Sequence, residues 1–284
     1  MSLQSGLLEA ARKWVRPGWR AGLLTGVLYG ALRLLAPRRR MALSNMAIAF
    51  PGSTPAWRKK NLSRVYRHFA ASLTEYLVVQ NDPALVDGWF VASSGLEWLS
   101  GQASVGKGAV LLMAHFGSWE LMAAWLGRRG FDLYGVIQEP EDIDLAELIE
   151  KYRRNIGGKP IPKRSMLTEP VRRLREGAMV VLAGDQNWGG KGALRLPFFG
   201  KECGTAGGPA SFAIMAGVPL VPVAATRLGP FKYRIDIGPP IEQPPEGSRE
   251  TRVVAMTREA NRWIEGLIRK APEQWLWMHW RWRD

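Results

Sequence analysis

Residues 109–120 read AVLLMAHFGSWE, and this stretch decides the fold class. Its first six residues are continuously apolar, which is typical of a strand buried on both faces of a parallel sheet. Gly117 and Ser118 then supply a turn and a helix N-cap, and a helix is predicted from Trp119 to Arg128. A buried strand followed by a helix is the repeating unit of an α/β sheet. In such sheets sites form beyond the carboxyl ends of the strands, where His115 stands.

The segments on either side continue this alternation. Strands are predicted at 131–137, 178–183, 220–226 and 232–237, and helices at 143–155, 168–176, 210–216 and 250–269. Gly157 and Gly177 stand where two of these helices should end. The sequence therefore predicts an α/β fold with a mixed, largely parallel central sheet flanked by helices.

The first 80 residues differ from the rest, because they read as helical. The longest apolar run, at 21–32, is followed by helices predicted at 41–50 and 56–79, the latter capped by Ser53 or Thr54. The run has twelve residues, whereas a comfortable bilayer span needs about 20. It therefore either lies in the interface or is stretched across the bilayer by snorkelling arginines. We expect residues 1–40 to form a helical membrane-associated segment and 41–284 the main domain.

Positive charge is concentrated in the same region. Thirteen Lys and Arg residues and no Asp or Glu stand between positions 10 and 74, in a chain whose net charge is +14. Together with the apolar run, this favours an anionic membrane surface, although a solvated basic face is an alternative. The confinement of the charge, without a recognised motif, argues against a nucleic-acid binder. A single cysteine, Cys203, excludes an internal disulfide and favours the reducing side of the membrane.

His115 and Glu120 are the residues with the clearest chemical potential. Glu120 falls in the first turn of the helix that follows His115, so the two side chains can approach each other. A carboxylate that holds the proton of one ring nitrogen leaves the other nitrogen basic, and a substrate hydroxyl would complete a triad. The alternatives are a structural histidine and a glutamate that stabilises the helix dipole. No second His or Cys stands at metal-ligand spacing, and Ser118 lacks the elbow motif of a nucleophile.

The pattern H-x-x-x-x-[DE] after a buried strand resembles the first motif of the glycerolipid acyltransferase superfamily. The flanking sequence is closer to one branch, the lipid A late acyltransferases of the lauroyl and myristoyl type, with the mycobacterial phosphatidylinositol-mannoside acyltransferases as relatives. Six blocks carry the resemblance in order: NMAIAFPGSTPAWRKK (45–60), AHFGSWEL (114–121), YRRNIG (152–157), AGDQNWGGKGALRLPFFGKECGTAGGPASFA (183–213), VPLVPVAATR (218–227) and PEQWLWMHWRW (272–282). The resemblance implies a glycerolipid-acyltransferase-like fold and the transfer of a fatty acyl group to a lipid hydroxyl.

The resemblance also implies roles for individual residues. His115 would be the general base and Glu120 its partner. Asp185 and Gln186 follow a predicted strand and would position substrate at the same rim as His115. The alternative for Asp185 is an Asx turn before the glycines that follow it.

Further along the chain, the candidates are substrate-binding residues. Arg154 and Arg195 could contact a phosphate of the acceptor or carrier, because a guanidinium pairs with phosphate in a bidentate way, or could be surface charges. Thr205 precedes a glycine-rich helix start that could bind an anion, or that could be an ordinary loop. His279 stands among the tryptophans of the tail and is interpreted as structural, and the tail as packing or membrane contact. Gln138-Glu139-Pro140 replaces an arginine-containing stretch that many relatives carry.

These observations predict a membrane-associated O-acyltransferase on the cytoplasmic face of the bacterial inner membrane. The donor would be acyl carrier protein or acyl-CoA, and the acceptor a hydroxyl of a lipid or glycolipid, with a lipid A precursor favoured. In the expected direct transfer His115 takes the hydroxyl proton, with no cofactor, metal or acyl-enzyme. The rival hypothesis is a non-catalytic membrane- or lipid-binding protein that keeps the fold, and substitution of His115 separates the two.

Overall fold

A computed structural model describes residues 2–136, 142–162, 165–190 and 192–283. The departure at Gln138-Glu139-Pro140 and the last residue of the strand predicted at 131–137 lie outside these ranges.

Four helices form the first 80 residues: α1 (Leu3–Trp14), α2 (Trp19–Leu35), α3 (Arg39–Ala49) and α4 (Pro55–Val79). The predicted start of α4 is confirmed, because Thr54 is its N-cap and the Thr54 hydroxyl accepts a hydrogen bond from the Trp57 N–H at 3.1 Å. Sequence analysis did not separate α1 from α2. The chain breaks between them at Gly18, which has a φ of +98° that a side chain would strain.

The strands are β1 (Phe90–Ser94), β2 (Ala109–Met113), β3 (Leu133–Val136), β4 (Lys159–Ile161), β5 (Met179–Ala183), β6 (Ala193–Phe198), β7 (Lys201–Ala206), β8 (Leu220–Gly229) and β9 (Lys232–Ile237). Seven of them form one sheet in the order β1-β9-β8-β2-β5-β3-β4. Its neighbouring strands run parallel except for β8 and β9. The predicted mixed, largely parallel sheet is thus confirmed. The strands β6 and β7 form a separate antiparallel hairpin.

Helices cover both faces of the sheet. The remaining six are α5 (Leu96–Ser104), α6 (Trp119–Arg128), α7 (Ile143–Asn155), α8 (Glu169–Arg175), α9 (Gly208–Ala216) and α10 (Arg249–Lys270). Side chains of β2 alternate between the two layers, as the two-residue period of a strand requires. Val110 and Leu112 join a buried cluster with residues of α8, α9 and α10, whereas Leu111 joins a cluster with residues of α6. β2 therefore lies at the centre of the core, with helices packed on both of its faces.

The helices α1 and α2 pack directly against the α/β part. Val15, between them, is fully buried in the same cluster as Leu111 of β2. Arg12 donates a hydrogen bond to Asn81 Oδ1 at 2.9 Å, and the Tyr152 hydroxyl donates one to Glu9 Oε2 at 2.6 Å. The domain boundary after residue 40 stays a prediction, but the segment before it shares its core with the rest of the chain.

One face of α2 is apolar and exposed to solvent. Its large side chains are between 52% and 85% exposed and recur at spacings of four, four and seven: Trp19, Leu23, Val27 and Leu34. Residues at such spacings lie on the same side of a helix. Among the helices that the structure describes, none combines the length and hydropathy needed to cross a bilayer.

Candidate active site

His115 and Asp185 lie side by side at the carboxyl edge of the sheet. β2 and β5 pair in parallel, with Met113 opposite Ala183. Each of the two polar residues follows its strand by the same number of positions, so both reach the same height above the sheet. The predicted placement of His115 and Asp185 at one rim is confirmed.

The carboxylate of Asp185 is the partner of the His115 ring. His115 Nδ1 lies 2.9 Å from Asp185 Oδ1, and the backbone N–H of His115 donates to Asp185 Oδ2 at 2.9 Å. Trp275 Nε1 also donates to Oδ2, at 2.7 Å. Asp185 is 2% exposed, so these three contacts replace water around a buried charge. The expected contact between Glu120 and the ring is therefore wrong, because Asp185 occupies that position.

The two groups shift each other's pKa toward an ion pair. Burial alone would lower the pKa of His115, but the charge and the hydrogen bond of Asp185 outweigh it, and the pKa is raised above 6.5. Burial would likewise raise the pKa of Asp185, but His115 and the Trp275 N–H lower it below 3.8. Glu120 adds a smaller upward effect on His115. The site therefore stabilises an imidazolium, the form that a histidine takes after it has accepted a proton.

The other ring nitrogen, Nε2, faces a more open side. Gln186 Nε2 lies 3.5 Å from His115 Nε2, which is at the limit for a hydrogen bond. The His115 side chain is 20% exposed. Its ring packs edge-on against Trp119 at a centroid distance of 5.2 Å. With Nδ1 held by a carboxylate, Nε2 is the nitrogen that can accept a proton from a substrate. Whether Gln186 positions that substrate stays a prediction.

The turn after His115 is fixed by close backbone contacts. Gly117 has a φ of +61°, and a Cβ there would lie 1.8 Å from the carbonyl oxygen of Ala225. The C-terminal segment runs along the other side of the turn. The Leu276 N–H donates to the His115 carbonyl at 3.0 Å, and the Gly117 N–H donates to the Gln274 carbonyl at 2.9 Å. These contacts hold the backbone of His115 rigid, so the ring needs only Asp185 to set its orientation.

Glu120 is engaged by Arg153. The guanidinium donates to Glu120 Oε1 from Nη2 at 2.6 Å and from Nε at 3.2 Å. Glu120 therefore acts on His115 through its charge, because its carboxylate is bonded to Arg153 and not to the ring. Ser118 is the N-cap residue of α6, as predicted, but its side chain makes no capping hydrogen bond.

Arg153, not Arg154, is the arginine that the structure brings into this site. Arg154 pairs with Glu150 at 2.6 Å on the outside of α7, where its side chain is 63% exposed. Consecutive helical residues point about 100° apart, which explains the difference between two adjacent arginines. Sequence reasoning named Arg154 and missed Arg153, because Glu120, the carboxylate that Arg153 pairs with, is 33 positions away in the sequence.

Known proteins resemble this chain over nearly its whole length. The profile of the family described as bacterial lipid A biosynthesis acyltransferase matches residues 19–284. The chain belongs to this family. The lipid A biosynthesis lauroyltransferase of Escherichia coli (strain K12) is 27% identical over 257 residues, which are 89% of this chain and 81% of the relative. The lipid A biosynthesis palmitoleoyltransferase of the same strain is 27% identical over 281 residues, 95% of this chain and 87% of the relative.

A third relative shares a shorter region. The phosphatidylinositol mannoside acyltransferase of Mycobacterium tuberculosis (strain CDC 1551 / Oshkosh) is 28% identical over 132 residues, 45% of this chain and 42% of that protein. The resemblance to the lipid A branch, read from six blocks of sequence, is thus confirmed as family membership.

In this member of the lipid A biosynthesis acyltransferase family, Thr205 does not lie in a loop before a helix. It lies in β7, fully buried, and its hydroxyl accepts a hydrogen bond from Arg281 Nη2 at 2.9 Å. Arg281 is also fully buried and donates to the Gly204 carbonyl at 2.5 Å, with its guanidinium 4.6 Å from the Phe198 ring centroid. The glycine-rich start of this helix is confirmed, because Gly207 is the N-cap and Gly208 the first residue of α9, but Thr205 itself lies in β7 and its part in binding an anion stays a prediction.

Arg195 is exposed on β6, opposite Gly204 of β7. Its proposed contact with a phosphate stays a prediction. The hairpin that carries it was missed in the sequence, although Phe199-Gly200 forms its two-residue turn with φ values of +52° and +76°. Positive φ at both positions is typical of a tight hairpin turn, but a phenylalanine is an unusual residue there.

His279 lies near the site, although the sequence indicated a structural residue. Burial lowers its pKa, and the charges of Asp185 and His115 also act on it. Its Nδ1 is buried and has no hydrogen-bond partner within the described ranges. The backbone is held independently, because Asn45 Nδ2 donates to the His279 carbonyl at 2.6 Å. Trp275 of the same tail is buried, which supports the interpretation of that part as packing.

Each carboxylate of the site is already paired with a basic side chain. Asp185 pairs with His115, and Glu120 pairs with Arg153. Among the residues that the structure describes, no three His, Cys, Asp or Glu side chains are grouped to hold a metal ion.

Proposed function

We propose that this protein is a membrane-associated O-acyltransferase that moves a fatty acyl chain from a thioester carrier to a hydroxyl of a lipid A precursor or a related glycolipid. The observation that carries the proposal is the His115–Asp185 pair, with Nδ1 bonded at 2.9 Å, Nε2 not held by a carboxylate, and the His115 side chain 20% exposed. Family membership supports it, since the two lipid A acyltransferases of Escherichia coli match most of this chain.

In the proposed reaction, His115 Nε2 accepts the proton of the acceptor hydroxyl while the oxygen attacks the thioester carbonyl. The tetrahedral oxyanion collapses, the C–S bond breaks, and the leaving sulfur takes the proton back from the imidazolium. The products are an ester and a free carrier thiol. Asp185 stabilises the imidazolium between these steps. General-base assistance of this kind contributes about 10²–10⁴-fold, and holding the two substrates together contributes further.

The donor in this proposal is acyl carrier protein or acyl-CoA. Acyl carrier protein is acidic and coenzyme A carries phosphates, so a basic surface attracts either one over a distance. The chain has a net charge of +14. Arg195, exposed on β6, and Arg154, exposed on α7, remain candidates for these contacts.

Purified protein should transfer a radiolabelled acyl chain to a lipid A precursor in detergent micelles. The product should release its label on mild alkaline hydrolysis, because the new linkage is an ester. Assays with acyl carrier protein and with coenzyme A thioesters, run in parallel, identify the donor by the ratio of their kcat/KM values. Absence of transfer from both donors, with retained binding of the acceptor, would favour the non-catalytic lipid-binding protein instead.

We also propose that the protein works at the cytoplasmic face of the bacterial inner membrane, with α2 lying in the interface. Four large apolar side chains on one face of α2 are exposed to solvent. Basic residues stand at both ends of this helix. Arg16 precedes it, Arg20 lies in its first turn, and Arg38–Arg40 follow it. An apolar face flanked by cations matches an anionic bilayer surface. The single cysteine is consistent with the reducing side.

Replacing Leu23 and Val27 together with aspartate should lower the partition of the protein onto phosphatidylglycerol vesicles at least about tenfold. Each exposed side chain that enters the apolar layer contributes about 1.5–3 kcal/mol, and aspartate removes this gain. The matched control replaces Val91 and Val105 with aspartate, since they are 56% and 64% exposed against 52% and 61% for Leu23 and Val27. Vesicle sedimentation measures the partition, and equal losses in both pairs would contradict a specific role for α2.

A further inference from the structure

A cavity lined by cationic side chains lies where α2 ends, α3 begins and α4 passes. It has a volume of about 230 Å³. Arg33, Arg39 and Lys59 line it together with Ser63 and Tyr66, and none of the acidic residues that the structure describes is part of the lining. The three cations come from three different helices, so their convergence is a product of the fold and not of a run in the sequence.

The positive charge of this cavity is not compensated by the protein. Residues 10–74 contain no Asp or Glu. Within the described residues, Arg33, Arg39 and Lys59 form no ion pair with a carboxylate from elsewhere. Three like charges around so small a volume repel each other, and an anion between them removes that repulsion.

Hydrogen bonds preorganise one wall of the cavity. Arg33 Nη1 donates to Ser63 Oγ at 2.8 Å, and the Tyr29 hydroxyl lies 2.7 Å from the same oxygen. Arg67 lies over the Tyr29 ring, 5.0 Å from its centroid. The guanidinium of Arg33 is thereby anchored at one nitrogen, and its remaining N–H groups can bind an anion.

The opposite wall depends on an unusual backbone. The Tyr66 hydroxyl donates to the Pro37 carbonyl at 3.1 Å. On either side of Pro37, Ala36 and Arg38 adopt φ values of +43° and +49°. The left-handed region costs a residue with a Cβ about 1–2 kcal/mol, and such strain is often retained at binding sites. Here the strained turn brings Arg39, the first residue of α3, to the cavity.

We propose that this cavity binds a phosphate group on the headgroup of the lipid acceptor and so orients the acceptor hydroxyl toward His115. The inference rests on the proposed acyl transfer. A phosphate monoester carries up to two charges and three acceptor oxygens, which match two guanidinium groups and an ammonium. A carboxylate or a hydroxyl would leave most of this positive charge unbalanced.

The helix α4 connects the cavity to His115. Lys59, Ser63 and Tyr66 fall on one side of α4, and Phe69 follows one turn after Tyr66. The Phe69 ring lies 6.2 Å from the Trp119 ring, which is 5.2 Å from His115. Six residues of helix, from Ser63 to Phe69, span about 9 Å. The path from Ser63 along α4 and across the two rings to His115 is therefore on the order of 20 Å. The proposal requires an acceptor headgroup whose phosphate and hydroxyl are separated by a distance of this order.

The test variant combines Arg39→Gln with Lys59→Gln, because both side chains are exposed and neither makes a hydrogen bond or ion pair with another residue that the structure describes. The matched control combines Lys60→Gln with Arg64→Gln, which removes the same charge from equally exposed positions of α4 outside the cavity. Transfer is measured in uncharged detergent micelles with the phosphorylated acceptor and with the same acceptor after phosphatase treatment. We expect the test variant to raise the KM for the phosphorylated acceptor about tenfold, as the loss of one or two charge-assisted hydrogen bonds would do.

Other ligands of the cavity would give different results in this experiment. With the dephosphorylated acceptor, the test variant and the wild type should have the same KM, and kcat should be unchanged throughout. An equal rise of KM in the control variant would overturn the proposal in favour of diffuse attraction. An unchanged acceptor KM, with lost binding to phosphatidylglycerol vesicles, would show a site for bulk membrane lipid and would also overturn it. A rise confined to the donor KM would assign the cavity to the phosphates of the carrier.

A binding measurement separates failure of this site from failure of the proposed reaction. Dihexanoyl phosphatidate, below its micellar concentration, should raise the Tm of the wild type and the control variant more than dihexanoyl phosphatidylcholine does. The test variant should lose that difference. If the protein transfers no acyl chain but shows this pattern, the phosphate site stands and the reaction does not. Equal Tm shifts in all three proteins would contradict the site, whatever the activity.

Discussion

His115→Ala is expected to lower kcat for acyl transfer by about 10²–10⁴-fold, the contribution of a well-placed general base. Without the imidazole, the acceptor hydroxyl has to lose its proton to water or to the donor during attack. The effect should fall on kcat and leave the KM values within a few-fold, because the proton moves only in the transition state. Transfer of a labelled acyl chain by the purified variant measures it.

Folding of this variant can be checked separately. Asp185 loses its contact with Nδ1 but keeps the hydrogen bonds from the His115 N–H and from Trp275, so the variant should fold with about 1–3 kcal/mol less stability. His279→Ala is the matched control, a second histidine near the same carboxylate. The loss of activity should be smaller in His279→Ala, because the backbone at this position is held by the hydrogen bond from Asn45 and not by the histidine ring. Near-normal turnover in His115→Ala would falsify the proposed mechanism.

The pH dependence of kcat/KM gives a second signature of the same residue. The base form of His115 must be neutral, so activity should rise as pH increases through the pKa of the imidazolium. Asp185 raises that pKa above 6.5 despite burial, so the acidic limb should have its midpoint above this value. A midpoint below 6.5 in the wild type would contradict a charge-stabilised His115.

The position of the base could be read from the sequence, but its partner could not. Glu120 is five positions from His115, and proximity along the chain can be read directly from the sequence. Asp185 is 70 positions away and becomes adjacent only through the parallel register that sets Met113 against Ala183. Two buried strands followed by polar residues did indicate a shared rim. The choice between the two carboxylates, however, depends on side-chain directions that no periodicity specifies.

The hairpin and the tail show a different limit of sequence reasoning. The segment around Thr205 is rich in glycine and was interpreted as a loop before a helix, yet it pairs with β6 along its whole length. The residue that stabilises it is remote in sequence: Arg281, 76 positions after Thr205, donates to the Thr205 hydroxyl and to the Gly204 carbonyl. Tertiary contacts of this kind override local propensity. Long periodic elements such as α4 and α10 were predicted to within one residue at most ends, because their amphipathic pattern is set by burial on one face.

Asp185→Asn is expected to lower kcat by about 10⁴-fold, the size of effect that the same change has in the serine protease triad. Asp185 Oδ2 accepts two hydrogen bonds from donors that cannot become acceptors, the His115 backbone N–H and Trp275 Nε1. The carbonyl oxygen of asparagine therefore has to occupy the Oδ2 position. Its NH₂ group then lies at the Oδ1 position and donates to His115 Nδ1.

That reversal changes the tautomer of the histidine. When Nδ1 accepts a hydrogen bond, the ring proton of neutral His115 resides on Nε2, and the nitrogen that faces the substrate is no longer basic. The variant has the shape and the hydrogen-bond count of the wild type, so it should fold and bind both substrates normally. The loss should therefore appear in kcat, with KM and Tm little changed.

Glu120→Gln is the matched comparison, because it removes one negative charge that also acts on His115 without touching the Asp185 contacts. It breaks the charge pairing with Arg153, whose guanidinium lies 2.6 Å from Glu120, and removes a smaller upward effect on the pKa of His115. We expect a smaller loss of kcat than in Asp185→Asn, together with an acidic limb of the kcat/KM profile that moves to lower pH. Kinetic profiles of both variants over the same pH range decide between the carboxylates. If Glu120→Gln proves the more damaging of the two in kcat, Glu120 orients the base during the reaction, and the resting contact between His115 and Asp185 has to rearrange when substrate binds.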